Sequence, residues 1–179
     1  MTAQHKYGGK VYFLDRANIN TDEIIPAKYL TFIEKAPLKP YLLEDLKIEG
    51  LNPASVKWDK YGVVVSRENF GCGSSREMAV WAFEVNGIYT VIATNFARIF
   101  RENAFNDGML AIELAPKIID ELFALFASKS DVDLKVDLEK DILLFKSGSI
   151  EKKIPFTLTK FQKELVKAGG LVALANQKY

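Results

Sequence analysis

The pattern of apolar and polar positions divides the chain into a clear centre and two less regular ends. Val11 to Leu14 is a short apolar run of strand length, and Asp15 to Asp22 (DRANINTD) is polar and rich in turn formers, as expected of a loop. Pro26 suits the first turn of a short helix running toward Leu30. Residues 34–60 hold Pro37, Pro40, Gly50 and Pro53 and are expected to be irregular, with one short helix at 40–47. Tyr61 to Val65 is a β-branched run of the kind found in a strand buried on both faces. After a loop over 67–74, the apolar spacing of 75–85 predicts a helix stopped by Asn86-Gly87, and Ser74 with Glu77 has the form of a capping box. Ile88 to Ala93 reads as a second strand of this central block. Phe96, Ile99, Phe100 and Ala104 fall at helical spacing, closed by Asn106-Asp107-Gly108, and Met109 to Ile112 is a third strand. The order is βαβαβ, which implies a parallel sheet with right-handed crossovers.

The last third changes character. Pro116 starts an amphipathic helix (PKIIDELFALFAS), and Asp131 to Val136 alternates polar and apolar residues as a half-exposed strand does. Ile142 to Phe145 and Ile150 to Phe156 suggest two further strands joined at Ser147-Gly148. A helix from Thr159 to Ala168 is expected to end at Gly169-Gly170. No internal repeat, low-complexity tract or linker interrupts this order, so one domain over 1–179 is expected.

Composition narrows the chemistry. Hydrophobic residues make up 49% of the chain, enough for a real core, and 24 basic against 23 acidic residues leave a net charge of +1. That balance makes no electrostatic case for nucleic acid or an anionic membrane. No apolar stretch approaches the roughly 20 residues of a bilayer span. The N-terminus, MTAQHKYGGK, lacks the apolar core of a signal peptide, so a cytoplasmic location is expected. The single cysteine (Cys72) excludes an internal disulfide and a self-contained three- or four-Cys zinc or iron–sulfur site, and the single histidine (His5) lies in the polar N-terminal segment. They also argue against Cys–His and Ser–His–Asp catalysis within this chain. Any acid–base chemistry must come from other groups, or from another chain.

The loop NFGCGSSRE, residues 69–77, is where such groups gather. Gly71 and Gly73 allow positive φ and a close approach of ligand to backbone. The loop leaves a strand and enters a helix, so free N–H groups and the positive end of the helix dipole favour an anion there. Ser74, Ser75 and Arg76 add two hydroxyls and a guanidinium whose planar fork suits a carboxylate. The physical reading is a carboxylate-binding site at a strand–loop–helix junction. The competing reading makes Ser74 an N-cap and nothing more. GCGSSR matches neither common phosphate-binding glycine loop, so nucleotide binding is not supported.

Four segments, in order, carry a resemblance. NFGCGSSRE with Met78-Ala79 resembles the signature of the small subunits of the 3-isopropylmalate dehydratase family and of the swivelling fourth domain of aconitases. NINTDEIIPAKYL, residues 18–30, is similar to that family's N-x-x-T-D-x-I-I-P-A-[RK]-Y-L. NFARIF (95–100) resembles its [SN]-F-A-R-I-F, and NAFNDGML (103–110) its N-x-x-N-x-G-L. The likeness runs from about residue 10 to 113; beyond that, only length and element order agree.

The resemblance implies an α/β fold, a three-layer swivelling β/β/α domain with a mainly parallel central sheet as in aconitase domain 4. It implies a hydro-lyase small subunit that isomerises 2-isopropylmalate and 3-isopropylmalate by dehydration and rehydration, a step of leucine biosynthesis. It places no cofactor in this chain and a [4Fe–4S] cluster on a large partner subunit, with a small dicarboxylate as substrate. By motif position, Ser74 would be the base, acting as an alkoxide. Ser75 and Arg76 would bind substrate carboxylate, Thr21 and Asp22 would lie on the loop facing the site, and Thr31 would belong to the loop associated with substrate choice. A buried alkoxide costs several kcal/mol unless charge surrounds it, so the isolated chain is expected to be inactive. Two positions depart from the family pattern. Met78 stands where most members have His, which predicts altered packing. Thr31-Phe32 follows Tyr29-Leu30 with no arginine, which leans toward an uncharged substrate side chain, although Lys28 is a nearby positive charge; alternatively Tyr29, Leu30 and Phe32 are simply core residues. The other readings are a small subunit of homoaconitase or 2,3-dimethylmalate dehydratase, or a non-catalytic carboxylate-binding module. Partner-facing apolar surface would let isolated chains self-associate.

Overall fold

A computed structural model describes residues 6–179; His5 lies outside them. The apolar runs become a seven-stranded sheet in the order β4-β3-β2-β1-β5-β6-β7. Strands β1 (Gly9–Phe13), β2 (Val63–Val65), β3 (Thr90–Ala93) and β4 (Leu110–Glu113) run parallel, with Val11 beside Val63, Val64 beside Val91 and Ile92 beside Ile112. Every residue of β2 and β3 is buried, which is why their apolar runs are continuous rather than alternating. On the other side of β1 the pairing turns antiparallel, through β5 (Asp133–Asp137), β6 (Ile142–Ser147) and β7 (Ile150–Pro155). There the burial alternates: Leu134 and Val136 are inside while Asp133 and Lys135 are exposed.

Helices α2 (Glu77–Glu84) and α3 (Arg98–Asn106) form the two crossovers of the parallel half and pack on each other. Helix α4 (Pro116–Phe126) carries the chain from β4 to the antiparallel half, its Phe123 edge-on to Phe13 and its Phe126 against Phe145. The expected α/β swivelling class therefore stands.

Three local expectations are corrected, and one element is added. A short helix, α1 (Thr21–Ile24), begins inside the segment read as loop, because Asn20 and Glu23 form a capping box. Pro26 precedes a 3₁₀ turn, Ala27–Tyr29, in place of an α-helix. The helix expected at 40–47 is instead a 3₁₀ segment, Ala36–Tyr41; Pro37 and Pro40 each remove a donor that an α-helix would need. After α5 (Lys160–Ala168) stops at the left-handed Gly169, a further helix, α6 (Leu171–Lys178), follows. This junction is fastened from a distance. The Tyr7 hydroxyl lies 2.8 Å from the carbonyls of both Gly108 and Val166, and a Cβ on Gly108 would come within 2.6 Å of Gly169.

Candidate functional site

The chain leaves β1, β2 and β3 at the same edge, and the three loops continue side by side beyond the sheet. Asn20 bridges Cys72, and Phe70 bridges Phe96, both in parallel register. The ties are the Gly71 N–H donating to the Ile19 carbonyl (2.7 Å), Thr21 N–H to the Cys72 carbonyl (2.8 Å) and Ala97 N–H to the Phe70 carbonyl (2.9 Å). Asn18 and Asn69 both adopt left-handed φ, at 54° and 56°, a conformation that Asn tolerates better than most residues. Asn69 Nδ2 donates to Asn18 Oδ1 (2.9 Å), and Asn95 Oδ1 accepts from Asn69 N–H (2.7 Å). Three segments far apart in sequence thus converge at the carboxyl ends of parallel strands, where open α/β sheets bind ligands.

Thr21 and Asp22 close onto the 72–76 segment. Thr21 Oγ1 donates to the Ser74 carbonyl (2.6 Å), and the Arg76 Nη1 to Asp22 Oδ1 distance is 2.5 Å. The Arg76 side chain is largely covered, at 18% exposure, yet among the described residues its Nη1 makes no aligned hydrogen bond, so the contact with Asp22 is an ion pair with donor capacity left over. Arg16, paired with Glu23 through both carboxylate oxygens, buttresses α1 from behind.

Ser74 does not cap the helix. Helix α2 starts at Glu77 with Arg76 as its N-cap in extended conformation and without a side-chain cap bond. Ser74 is held two residues upstream because its carbonyl is claimed by Thr21. Its hydroxyl and that of Ser75 are exposed and enter no hydrogen bond among the described residues. Met78 is half-buried and packs on the core, in keeping with a packing role. Thr31 is exposed on the loop after the 27–29 turn and, among the described residues, makes no hydrogen bond to Ser74–Arg76. The site is an open edge. A groove of about 580 Å³ lies apart from it between α3 and α5, and Phe96 is the wall the two share. That groove's arginines are already engaged, Arg98 with Glu102 and Arg101 with Glu113.

Sequence reasoning missed the Asn18–Asn69–Asn95 clasp. The N-x-x-E spacing of Asn20 and Glu23 could have revealed α1, but nothing local marks three asparagines as neighbours.

A second charged cluster lies at the far end of α2. Burial, with Glu77 and Glu84 adding to it, pushes the Asp107 carboxyl up to about 6 despite the opposing charge of Lys35. The folded state therefore binds this proton more tightly than the unfolded chain, whose carboxyl titrates near ~3.9. The resulting stability is complete below about pH 4 and is lost as pH rises through about 6. Asp107→Asn is expected to raise stability at pH 7.5 by about 1 kcal/mol, discounted for partial solvent exposure. Denaturant melts across pH should show that gain vanishing below about pH 4.

Comparison with known proteins agrees with this geometry. Residues 1–117 match the family model described as the aconitase C-terminal domain. A crystal structure of 3-isopropylmalate dehydratase (leuD) from Methanocaldococcus jannaschii is similar over 96% of this chain and 94% of that one, with 32% sequence identity and a TM-score of 0.76. The chain belongs to the aconitase C-terminal domain family.

Proposed function

We propose that this chain is the small subunit of a hydro-lyase that interconverts 2-isopropylmalate and 3-isopropylmalate, the isomerisation used in leucine biosynthesis. It forms one aconitase-type swivel domain over 1–179 and works in the cytoplasm with a large subunit. One observation carries the reading: Thr21 and Asp22 close on Ser74–Arg76, leaving two free hydroxyls beside a covered guanidinium with unused donors. Likeness to the dehydratase named above supports the substrate.

With a single cysteine in the sequence and no group of three or more His, Cys, Asp or Glu placed to hold a metal ion among the described residues, this chain does not fit a [4Fe–4S] cluster. The cluster belongs to the large subunit, where it supplies Lewis-acid assistance to the substrate's hydroxyl and a carboxylate. In this chain, Arg76 and Ser75 bind a carboxylate of the dicarboxylate substrate, with Asp22 holding the guanidinium in place and Thr21 holding the Ser74 backbone. Ser74 Oγ, as the alkoxide, takes the proton from the carbon adjacent to the departing hydroxyl. The C–O bond breaks, and the hydroxide leaves as water with a proton supplied from the partner's side of the site. Readdition of water at the other carbon, with Ser74 returning its proton, gives the isomer and restores the alkoxide. Because the edge is open, Ser74 reaches the required basicity only when a partner covers it and excludes water. Thr31 faces the substrate side chain. Its loop supports an uncharged group there, because Lys28 is engaged by Glu44 (3.7 Å) and lies over the Tyr29 ring.

The test is turnover of 3-isopropylmalate by this chain mixed anaerobically with its cluster-loaded large subunit. Activity only in the mixture supports the reading. Turnover of homoaconitate or 2,3-dimethylmalate instead moves the substrate and keeps the mechanism. No turnover of any malate leaves a carboxylate-binding module. Arg76→Lys is expected to lower kcat/KM by about 10²-fold, since an ammonium cannot replace a two-pronged contact. Steady-state kinetics on the reconstituted pair measure it. Sedimentation of the lone chain will show whether the uncovered edge drives self-association.

A further inference from the structure

The stretch Leu30–Glu34 projects from the fold: Leu30 is 37% exposed and Ile33 90%. Among the described residues, its backbone N–H groups make two hydrogen bonds, both back to the preceding turn: Leu30 to the Ala27 carbonyl and Phe32 to the Tyr29 carbonyl. Its position is set on the upstream side by aromatic stacking, in which half-buried Phe32 joins Tyr29 (6.1 Å) and Tyr41 (6.4 Å), and on the downstream side by Lys35. On the upstream side the Tyr29 ring stacks on Tyr41 at 3.9 Å, nearly coplanar at 11°. On the downstream side Lys35 Nζ donates to Glu84 Oε2 at 2.8 Å and sits 5.5 Å from the Trp81 ring centre. Asp107 and Glu77 also attract this ammonium through space, so one cation offsets the charge of three carboxylates. Trp81 Nε1 and Asp107 Oδ2 are buried beside it and interact with each other only loosely, so the short Lys35–Glu84 bond is the well-aligned polar contact of this niche among the described residues.

Glu77, Trp81 and Glu84 all belong to α2, the helix entered directly from Ser74–Arg76. The downstream end of the projecting loop is therefore bolted to the same rigid helix that presents the serines and the arginine. We propose that Lys35 is a positioning residue for substrate choice: docked on Glu84 and Trp81, it holds Leu30–Glu34, and Thr31 with it, in register with Ser74–Arg76. The inference rests on the reading of the Thr31 loop as the one that faces the substrate side chain. Loss of the dock frees the loop without touching the reacting atoms, so it weakens recognition of the side chain and leaves the proton transfer intact.

The experiment compares wild type, Lys35→Gln, Glu84→Gln and Lys35→Arg in the reconstituted enzyme, on 3-isopropylmalate and its methyl- and ethyl-substituted analogues. Lys35→Gln and Glu84→Gln are expected to raise KM for 3-isopropylmalate about five- to twentyfold with kcat within about twofold, a loss of binding and not of chemistry. Discrimination between isopropyl and methyl substrates falls by a similar factor, and Lys35→Arg keeps it. Unchanged KM and discrimination, or a fall in kcat shared equally by all substrates, overturns the proposal. Amide hydrogen exchange of residues 30–36 in the complex is the second readout, and it does not depend on turnover. Faster exchange confined to this stretch in Lys35→Gln supports the dock even if wild type prefers another malate. Unchanged exchange overturns the dock whatever the substrate.

Discussion

Ser74→Ala is expected to lower turnover of the reconstituted enzyme by about 10²- to 10⁴-fold, the range of a lost general base, while leaving stability nearly unchanged. The combination is informative because the two readings of Ser74 predict opposite outcomes. A helix cap replaced by alanine costs about 1 kcal/mol and need not affect turnover. In the structure α2 begins at Glu77, and the contact that Ser74 does make is through its carbonyl, which alanine retains. Its exposed hydroxyl has no partner among the described residues to lose, so the melting curve is expected to shift by less than about 0.5 kcal/mol. Kinetics on the mixed subunits and thermal melts of the lone variant check the two halves separately. A destabilised but active variant would restore the cap and remove the base.

Gly71→Ala is expected to have the largest effect on stability, about 2–4 kcal/mol. The residue sits at φ 79°, and an added Cβ would fall 2.3 Å from Cγ of Phe100. Phe100 cannot withdraw, since it is 2% exposed and packed against Phe70 at 5.4 Å and Phe96 at 6.1 Å. Relief would have to come from the loop, whose Gly71 N–H is bonded to Ile19 and whose neighbour Cys72 is bonded to Thr21. Activity is therefore expected to fall with stability, because the same shift displaces Ser74. Gly148→Ala separates the two contributions: it also has positive φ, 58°, but nothing lies within 4 Å of its added Cβ. That variant is expected to lose only the backbone part, about 1 kcal/mol. Equal losses in the two variants would show that crowding against Phe100 does not matter.

The order of strands and helices in the parallel half, and the identity of the 69–77 loop, were legible in the residues themselves. Continuous β-branched runs at 63–65 and 90–92 can be buried on both faces, and glycine, serine and arginine in one short loop announce an anion site. These are properties of neighbours in sequence, which local rules describe well. The irregular region over 34–60 was legible only as irregular, because prolines reveal where a helix fails and not which turn replaces it.

The tertiary structure alone decided what Ser74 does with its backbone, and the reason is distance along the chain. Its carbonyl is taken by a threonine 53 positions away, so the capping pattern that Ser74 and Glu77 display locally was overruled by a contact no local pattern contains. The same holds for Asp22 against Arg76, for the three asparagines that join the loops, and for Lys35 reaching Glu84 across 49 positions. Composition and spacing determined which chemical groups the chain has and which elements carry them. Packing of the sheet, by bringing three strand ends to one edge, determined which of those groups can act together.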